Sequence, residues 1–269
     1  MQTDLFDSHV HSLRSFDAKD SAESLCEAAI RAGLEGISIT DHCDVGRYKL
    51  DDWRERLRDS CFDAELARKR YAGRLTVTAG IELGQPLEEP AAANEALRAN
   101  RFDFILASVH NIRGYEDFYF LDYRKLDVEK LLERYFEELY EMTQWGRFDV
   151  LAHLTYPLRY IAKAGLPQPD LGRYEEQFRA IFLMLAQKGM GLEVNTSGLR
   201  QAAKTSFPGL RELKLFRACG GEIVTLGSDA HEAKVVGSHI RDGVKLLREA
   251  GFEYQAFYRN RTPMMIKLL

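Results

Sequence analysis

The sequence predicts an α/β fold organised around a parallel sheet, and three observations predict it. Short apolar, β-branched runs alternate with longer amphipathic stretches, giving seven or eight β-then-α units with no shift in composition. Glycines stand where several amphipathic stretches should stop. Titratable residues gather just past the apolar runs, at what becomes one end of the sheet. An open doubly wound sheet and a closed barrel both satisfy this alternation. No GxGxxG or GxxxxGK motif follows a run, which takes support from a nucleotide-cradling open sheet.

Taken in order, the candidate strands are 4–7, 36–40, 75–81, 102–108, 149–152, 191–195, 222–226 and 254–258. After the first, Ala22, Leu25, Cys26, Ala29 and Ile30 recur at helical spacing, with Asp20-Ser-Ala-Glu23 as a cap and Gly33 as a stop. Residues 52–71 are charged but helix-prone, which places that helix on the outside. Val128, Leu131, Leu132, Tyr135, Phe136 and Leu139 form a second apolar stripe; Tyr174, Phe178, Ile181, Phe182 and Leu185 form a third. Helices over 210–219 and 240–250 end at Gly220-Gly221 and Gly251. The longest loops, 111–125 and 155–170, directly follow strands, and in a barrel they build the C-terminal rim.

Composition bounds the function. With 269 residues, 45% hydrophobic and 29% charged, the chain is neither disordered, collagenous nor a coiled coil, and a single domain over 1–269 accommodates it. A net charge of −4 argues against a broad nucleic-acid surface. No apolar run approaches the ~18 residues of a membrane span, and the first residues lack a signal-peptide pattern. The four cysteines have no CxxC spacing and read as reduced thiols of a cytoplasmic protein. The expected partner is a small molecule, with homo-oligomerisation left open.

Six of the seven histidines fall at or just past the end of a candidate strand. Asp7-Ser-His9-Val-His11 places alternate residues on one face of an extended segment, so both imidazoles can grip one cation. Thr40-Asp41-His42, Gly80-Ile-Glu82, Ser108-Val-His110, Leu151-Ala-His153, Glu193-Val-Asn195 and Gly227-Ser-Asp229-Ala-His231 continue the series. Each alone is an ordinary polar strand end. Together they supply the imidazole–carboxylate set suited to zinc, iron or manganese, and a barrel would converge them on one rim. Arg159 and Arg200 lie in the loops after His153 and Asn195, where a guanidinium fork suits phosphate. His239 reads as a capping-region residue, Trp53 and Trp145 as packing, and Cys43 is set aside as a ligand.

These motifs, in this order from Asp7 to His231, resemble the PHP (polymerase and histidinol phosphatase) superfamily. His11-Ser-Leu-Arg-Ser-Phe-Asp17, Ser108-Val-His-Asn-Ile-Arg-Gly114 and His153-Leu-Thr-Tyr-Pro-Leu-Arg159-Tyr resemble its histidinol-phosphate phosphatases. The resemblance implies a distorted (β/α)7 TIM-like barrel with two to three divalent metal ions. It implies one set of His9, His11, Glu82 and Asp229; a second of His110 and His153 with Glu82 bridging; and a third of Asp17, His42 and His231. Some relatives carry histidine where this chain has Asp17, which shifts that set towards harder metals.

Such paired cations acidify a bridging water for in-line attack on phosphorus, with Asp229 as proton acceptor and Glu82 as bridge. Arg159 and Arg200 are the expected phosphate contacts, and Asn195 is expected either to contact the phosphate or to orient a ligand. Glu193, Asp7 and Asp41 are the expected orienters of ligands, the two aspartates through free imidazole nitrogens. The loop carrying Glu116 and Asp117 offers carboxylates to a substrate amine. The expected reaction is hydrolysis of L-histidinol phosphate in histidine biosynthesis. The alternatives are another small phosphate ester such as a nucleotide, or C–N hydrolysis by an amidohydrolase-type barrel.

Overall fold

The computed structural model describes residues 4–47 and 52–269, so the start of the segment read for a signal peptide lies outside the described residues. In chain order the elements are β1 (Phe6–Val10), α1 (Ala22–Arg31), β2 (Gly36–Ile39), β3 (His42–Asp44), α2 (Trp53–Arg70), β4 (Thr76–Gly84), α3 (Pro90–Ala99) and β5 (Phe104–Ser108). There follow α4 (Val128–Trp145), β6 (Val150–Leu151), α5 (Leu158–Lys163), α6 (Glu175–Gln187), β7 (Gly191–Asn195), α7 (Ser197–Arg200), α8 (Leu210–Ala218), β8 (Val224–Gly227) and α9 (Ile240–Glu249). A hairpin of β9 (Tyr254–Arg259) and β10 (Thr262–Lys267) completes the order.

The strands pair in parallel in the order β1-β2-β4-β5-β6-β7-β8. A parallel bridge from Val10 to Ala230 joins the last to the first, with His11 N–H donating to Ala230 O at 2.8 Å and Asp229 N–H to His9 O at 2.9 Å. The result is the expected seven-stranded (β/α) barrel, distorted at one place. There β2 stops at Ile39, and after Thr40-Asp41 the chain re-pairs with the same neighbour as β3, His42 opposite Glu82.

Local chemistry explains the helices. Ser21 caps α1 by accepting from Ser24 N–H, Ala22, Leu25, Cys26 and Ala29 face inward, and Gly33 leaves the helix at φ 70°. The inward stripe of α2 is narrow (Trp53, Leu57, Ser60, Ala64, Ala67), so its charged remainder faces out. Asp127 caps α4 and Gly146 ends it in the left-handed conformation.

The sequence expectation differs at several points: besides β3 and α7, which it lacked, α5 occupies part of the predicted loop 155–170. β1 runs to Val10 rather than ending at residue 7, because its polar side chains face a buried interior and broke the apolar pattern. The Ala-rich α3 starts at Pro90, a good first helical residue, but carries no long stripe. β10 has four of its six residues exposed, which masks its strand character.

The hairpin blocks the N-terminal end of the barrel. Phe257 stacks on Phe6 and Tyr258 on Phe104, with centroids 4.4 and 5.0 Å apart. The hairpin turn is tied to the acids that precede β5 and β6. Asn260 N–H donates to Asp103 Oδ1 at 2.9 Å, Arg261 N–H to Asp103 O at 2.8 Å, and Arg261 Nε to Asp149 Oδ2 at 2.5 Å. Asp149 Oδ2 also accepts Ile105 N–H at 2.7 Å. Asp149→Ala strands that buried amide and frees the hairpin, an expected loss of about 2 kcal/mol. In thermal unfolding this lowers Tm by roughly 4–8 °C.

Candidate metal centre

The C-terminal rim gathers every predicted ligand. His9 lies on β1, His42 on β3 and Glu82 on β4. His11, His110 and His153 sit one or two residues past β1, β5 and β6, Asp229 and His231 follow β8, and Asp17 comes from the loop after β1. Glu82 is the hub and is 1% exposed. Its Oε1 meets His110 Nε2 at 3.1 Å and His153 Nε2 at 2.9 Å. Its Oε2 meets His42 Nδ1 at 2.9 Å, His9 Nε2 at 3.3 Å and His11 Nε2 at 3.4 Å. Asp229 Oδ1 lies 3.5 Å from His11 Nε2 and 3.9 Å from His9 Nε2. Asp17 Oδ2 lies 3.2 Å from His231 Nε2, and its Oδ1 3.7 Å from His42 Nε2.

Only part of this convergence is hydrogen bonding: His110 Nε2 and His153 Nε2 each pair with Glu82 Oε1. Glu82 Oε2 and His42 Nδ1 are buried and lack hydrogen-bond partners despite their closeness. The Nε2 atoms of His9 and His11 face each other at 3.0 Å. Among the described residues, three groups have candidate ligand atoms mutually within 4.8 Å: His9–His11–Glu82, His11–His42–His231 and His42–Glu82–His110. This donor set fits divalent cations. His42, expected only beside Asp17 and His231, also abuts Glu82 and so links the groups. Burial opposes ionisation of Glu82, but His9, His110 and His42 prevail and hold its carboxyl well below the usual range. Burial likewise opposes ionisation of Asp229, which Arg159 and then His11 hold well below its ordinary value.

Three ring nitrogens facing away from the centre are held from outside it, whereas His153 Nδ1 is buried without a partner among the described residues. His9 Nδ1 meets Glu193 Oε1 at 2.6 Å, in the orienting role expected of Glu193. His110 Nδ1 meets Asp44 Oδ1 at 3.1 Å and His11 Nδ1 meets Ser15 Oγ at 3.1 Å. Asp44 and Ser15 were missed. The spacing His42-Cys-Asp44, two polar residues on one face of a strand, was the available signal for the first.

Two expectations need correction. Asp7 and Asp41 touch no imidazole. Asp7 accepts backbone N–H from Ser228 at 2.8 Å and Gly237 at 2.9 Å, bracing the segment after β8. Asp41 is enclosed by serines. Asn195 is fully buried: its amide donates to Glu193 Oε2, and its oxygen accepts from Ser197 N–H and Oγ–H. That geometry gives it the ligand-orienting role, through Glu193, in place of the phosphate contact.

Both arginines reach the rim. Arg159 donates to Asp229 Oδ2 and Ser197 Oγ, each at 2.7 Å, with its guanidinium 4.6 Å from the Tyr156 ring centroid. Its buried Nε has no partner. Arg200 donates to the backbone oxygens of Ser228 at 2.6 Å and Asp229 at 2.9 Å. It thereby holds Asp229 at φ 54°, and His153 also has positive φ, the kind of backbone strain that collects at functional sites. A Cβ on Gly227 would collide with Glu193 Oε1, so glycine is required where these elements close.

Two cavities flank the centre. One of about 760 Å³ is lined by Phe16, Asp17, His42, Glu116 and Asp117 among others, and a cleft of about 240 Å³ by Arg159, Arg200, Asp229 and Lys234. Glu82→Gln keeps the size of the hub and removes its charge. Zinc-loaded, desalted protein should then hold at least one ion fewer per chain by elemental analysis; an undiminished content excludes Glu82 as the bridge.

The PHP domain family model matches residues 7–197. The chain is 29% identical to a probable histidinol-phosphatase of Thermotoga maritima, covering 94% of this chain and 95% of that one, and 28% identical to another from Deinococcus radiodurans, covering 93% and 95%. It superposes with a TM-score of 0.83 on the crystal structure of a Lactococcus lactis histidinol phosphate phosphatase complexed with zinc, L-histidinol and phosphate, at 25% identity over 97% of this chain and 98% of that one. With this rim and a family match over most of its length, the chain belongs to the PHP domain family.

Proposed function

We propose that this chain is a metal-dependent phosphomonoesterase hydrolysing L-histidinol phosphate to L-histidinol and phosphate, within histidine biosynthesis in the cytoplasm. The observation that carries the reading is full-length likeness to a phosphatase whose crystal holds zinc and both products. The polarity of the rim agrees with it. The cleft side carries Arg159, Arg200 and Lys234 beside the carboxylates Asp229 and Glu232, whereas the larger cavity is walled by Asp17, Asp44, Glu88, Glu116 and Asp117, with no lysine or arginine among its described lining residues. A substrate anionic at one end and cationic at the other fits both walls.

In the proposed centre His9, His11, Glu82 and Asp229 would hold one cation. Glu82, His110 and His153 would hold a second, and Asp17, His42 and His231 a third, of zinc, iron or manganese. When bound, such cations supply Lewis acidity that polarises phosphoryl oxygens and acidifies water. The chain's own residues do the rest. Glu82 keeps the two halves of the centre in register through its separate oxygens. Asp229, kept ionised beside Arg159, accepts the proton of the attacking water. Arg159 offers its unpartnered Nε to phosphate, its plane held by Tyr156. Arg200 supports the same anion while fixing the Asp229 backbone. The reading is tested by phosphate release from the zinc-loaded chain. Histidinol phosphate should exceed AMP and a sugar phosphate by about 100-fold or more in kcat/KM, about 3 kcal/mol of discrimination, and parity among them overturns the substrate.

The two arginines should separate on substitution. Arg159→Ala retains its metal and weakens inhibition by inorganic phosphate roughly tenfold or more, the loss of a charged hydrogen bond. Arg200→Ala also loses metal, because Asp229 is no longer held. Unchanged phosphate inhibition in both variants would return them to a supporting role.

On the acidic wall, burial raises the Asp117 carboxyl, while nearby His110 opposes that rise. Glu116→Gln and Asp117→Asn should raise KM for histidinol phosphate on the order of tenfold, because the pair is partly exposed. Hydrolysis of an aryl phosphate should stay unchanged. Equal loss on both substrates means that the loop supports the centre rather than reading the amine.

A further inference from the structure

Three ligand imidazoles are held through Nδ1 by a side chain outside the cation groups, and one of the three holders differs in kind. Glu193 and Asp44 are carboxylates, which can only accept. The holder of His11 is a hydroxyl, which can donate or accept, so on its own it leaves the imidazole tautomer undefined. The surroundings of Ser15 remove that freedom. Its Oγ lies 2.8 Å from Asp41 Oδ1, 3.0 Å from His42 N and 3.1 Å from His11 Nδ1. Asp41 is buried and ringed by donors: Ser12 N–H at 2.6 Å, Ser12 Oγ at 2.7 Å and Ser60 Oγ at 2.5 Å. A carboxylate so enclosed takes the single Ser15 proton as well. Ser15 Oγ then has only lone pairs left for His42 N–H and for His11.

We propose that Ser15 is a positioning residue that sets the tautomer of His11. With its proton committed to Asp41, Ser15 accepts from His11 Nδ1–H, and the His11 Nε2 lone pair is left facing His9 Nε2, Glu82 Oε2 and Asp229 Oδ1. The same oxygen anchors the backbone of His42, so one hydroxyl ties a ligand of the first group to a ligand of the third. Asp41 thus acts on the centre at one remove. Its charge directs the serine proton, and the serine directs the imidazole. The inference rests on the cation reading of the rim given above.

The parent chain tests the tautomer directly. With histidine labelled by 15N, long-range 1H–15N spectra of the zinc-loaded full chain should show His11 protonated at Nδ1 and metal-bound at Nε2, His11 being assigned by the signal missing in His11→Asn. The opposite pattern overturns the proposal. Zinc affinity, measured by competition with a chromophoric chelator, tests the consequence. Ser15→Ala should weaken at least one zinc site about 10–100-fold, the usual cost of losing the group that orients a ligand. Ser60→Ala removes an equivalent hydroxyl from Asp41 but touches no imidazole, and should bind zinc as the parent does. Parent-like zinc affinity in Ser15→Ala overturns the proposal. Equal losses in both variants also overturn it, because the network then acts only by stiffening its loop. A parent chain that binds no zinc overturns the cation reading itself.

Discussion

The arrangement of the rim depends on one buried carboxylate. Glu82, 1% exposed, has no lysine or arginine side chain paired with it among the described residues; five imidazoles surround its two oxygens within 3.4 Å. A charge so placed is tolerable only when enough positive or donor groups face it. No single segment of chain can supply five imidazoles in that geometry. They come from β1, β3 and the ends of β5 and β6, so a closed barrel is the condition for burying Glu82 at all. The break between β2 and β3 serves the same end. By leaving the ladder at Thr40-Asp41 and rejoining β4 two residues on, the chain sets His42 directly across from Glu82.

Carboxylates at the opposite end of the barrel do different work. Asp103 and Asp149 precede their strands and bind the hairpin turn and backbone amides, so there they act as fasteners. With the hairpin aromatics stacked against Phe6 and Phe104, that end is filled by packing, and the C-terminal rim is where the chemistry gathers. The rim carries the strain: Asp229 and His153 have positive φ, and Arg200 and Gly227 hold the Asp229 segment and the packing beside it. The division agrees with a barrel whose stability lies at one face and whose function lies at the other.

How far the sequence could be read follows from the range of each interaction. Most of the proposed ligands were legible because each is a local fact, an imidazole or carboxylate leaving an apolar run; Asp17 came from the family resemblance alone. The barrel was legible because strands and helices alternate throughout. The groups orienting the ligands were not legible in the same way. Asp7 and Asp41 stand next to ligand histidines in sequence, yet backbone amides after β8 claim the first and serines the second. Asp44 reaches His110 only because β3 and β5 both flank β4, a register that no residue pattern states. Asn195 looked like a rim residue by position, but the turn into α7 folds Ser197 back onto it.

Opposite charge on the two sides of the centre bears on selectivity in a way the ligands cannot. Cations held by imidazoles and carboxylates attract any phosphate ester, so the centre by itself discriminates weakly. In the proposed binding mode the larger cavity adds the discrimination, because a ligand whose phosphate faces Arg159 would lie along a wall of carboxylates. A second phosphate on that wall is repelled, a neutral sugar gains nothing from it, and an ammonium gains an ionic partner. Exposed Tyr119 and Phe120, with half-buried Tyr160, line the same cavity, which gives a flat ring apolar surface to rest on beside that charge. An amino-alcohol phosphate bearing an aromatic ring meets all three demands, and for such a molecule the preference arises from the walls while the centre performs the hydrolysis.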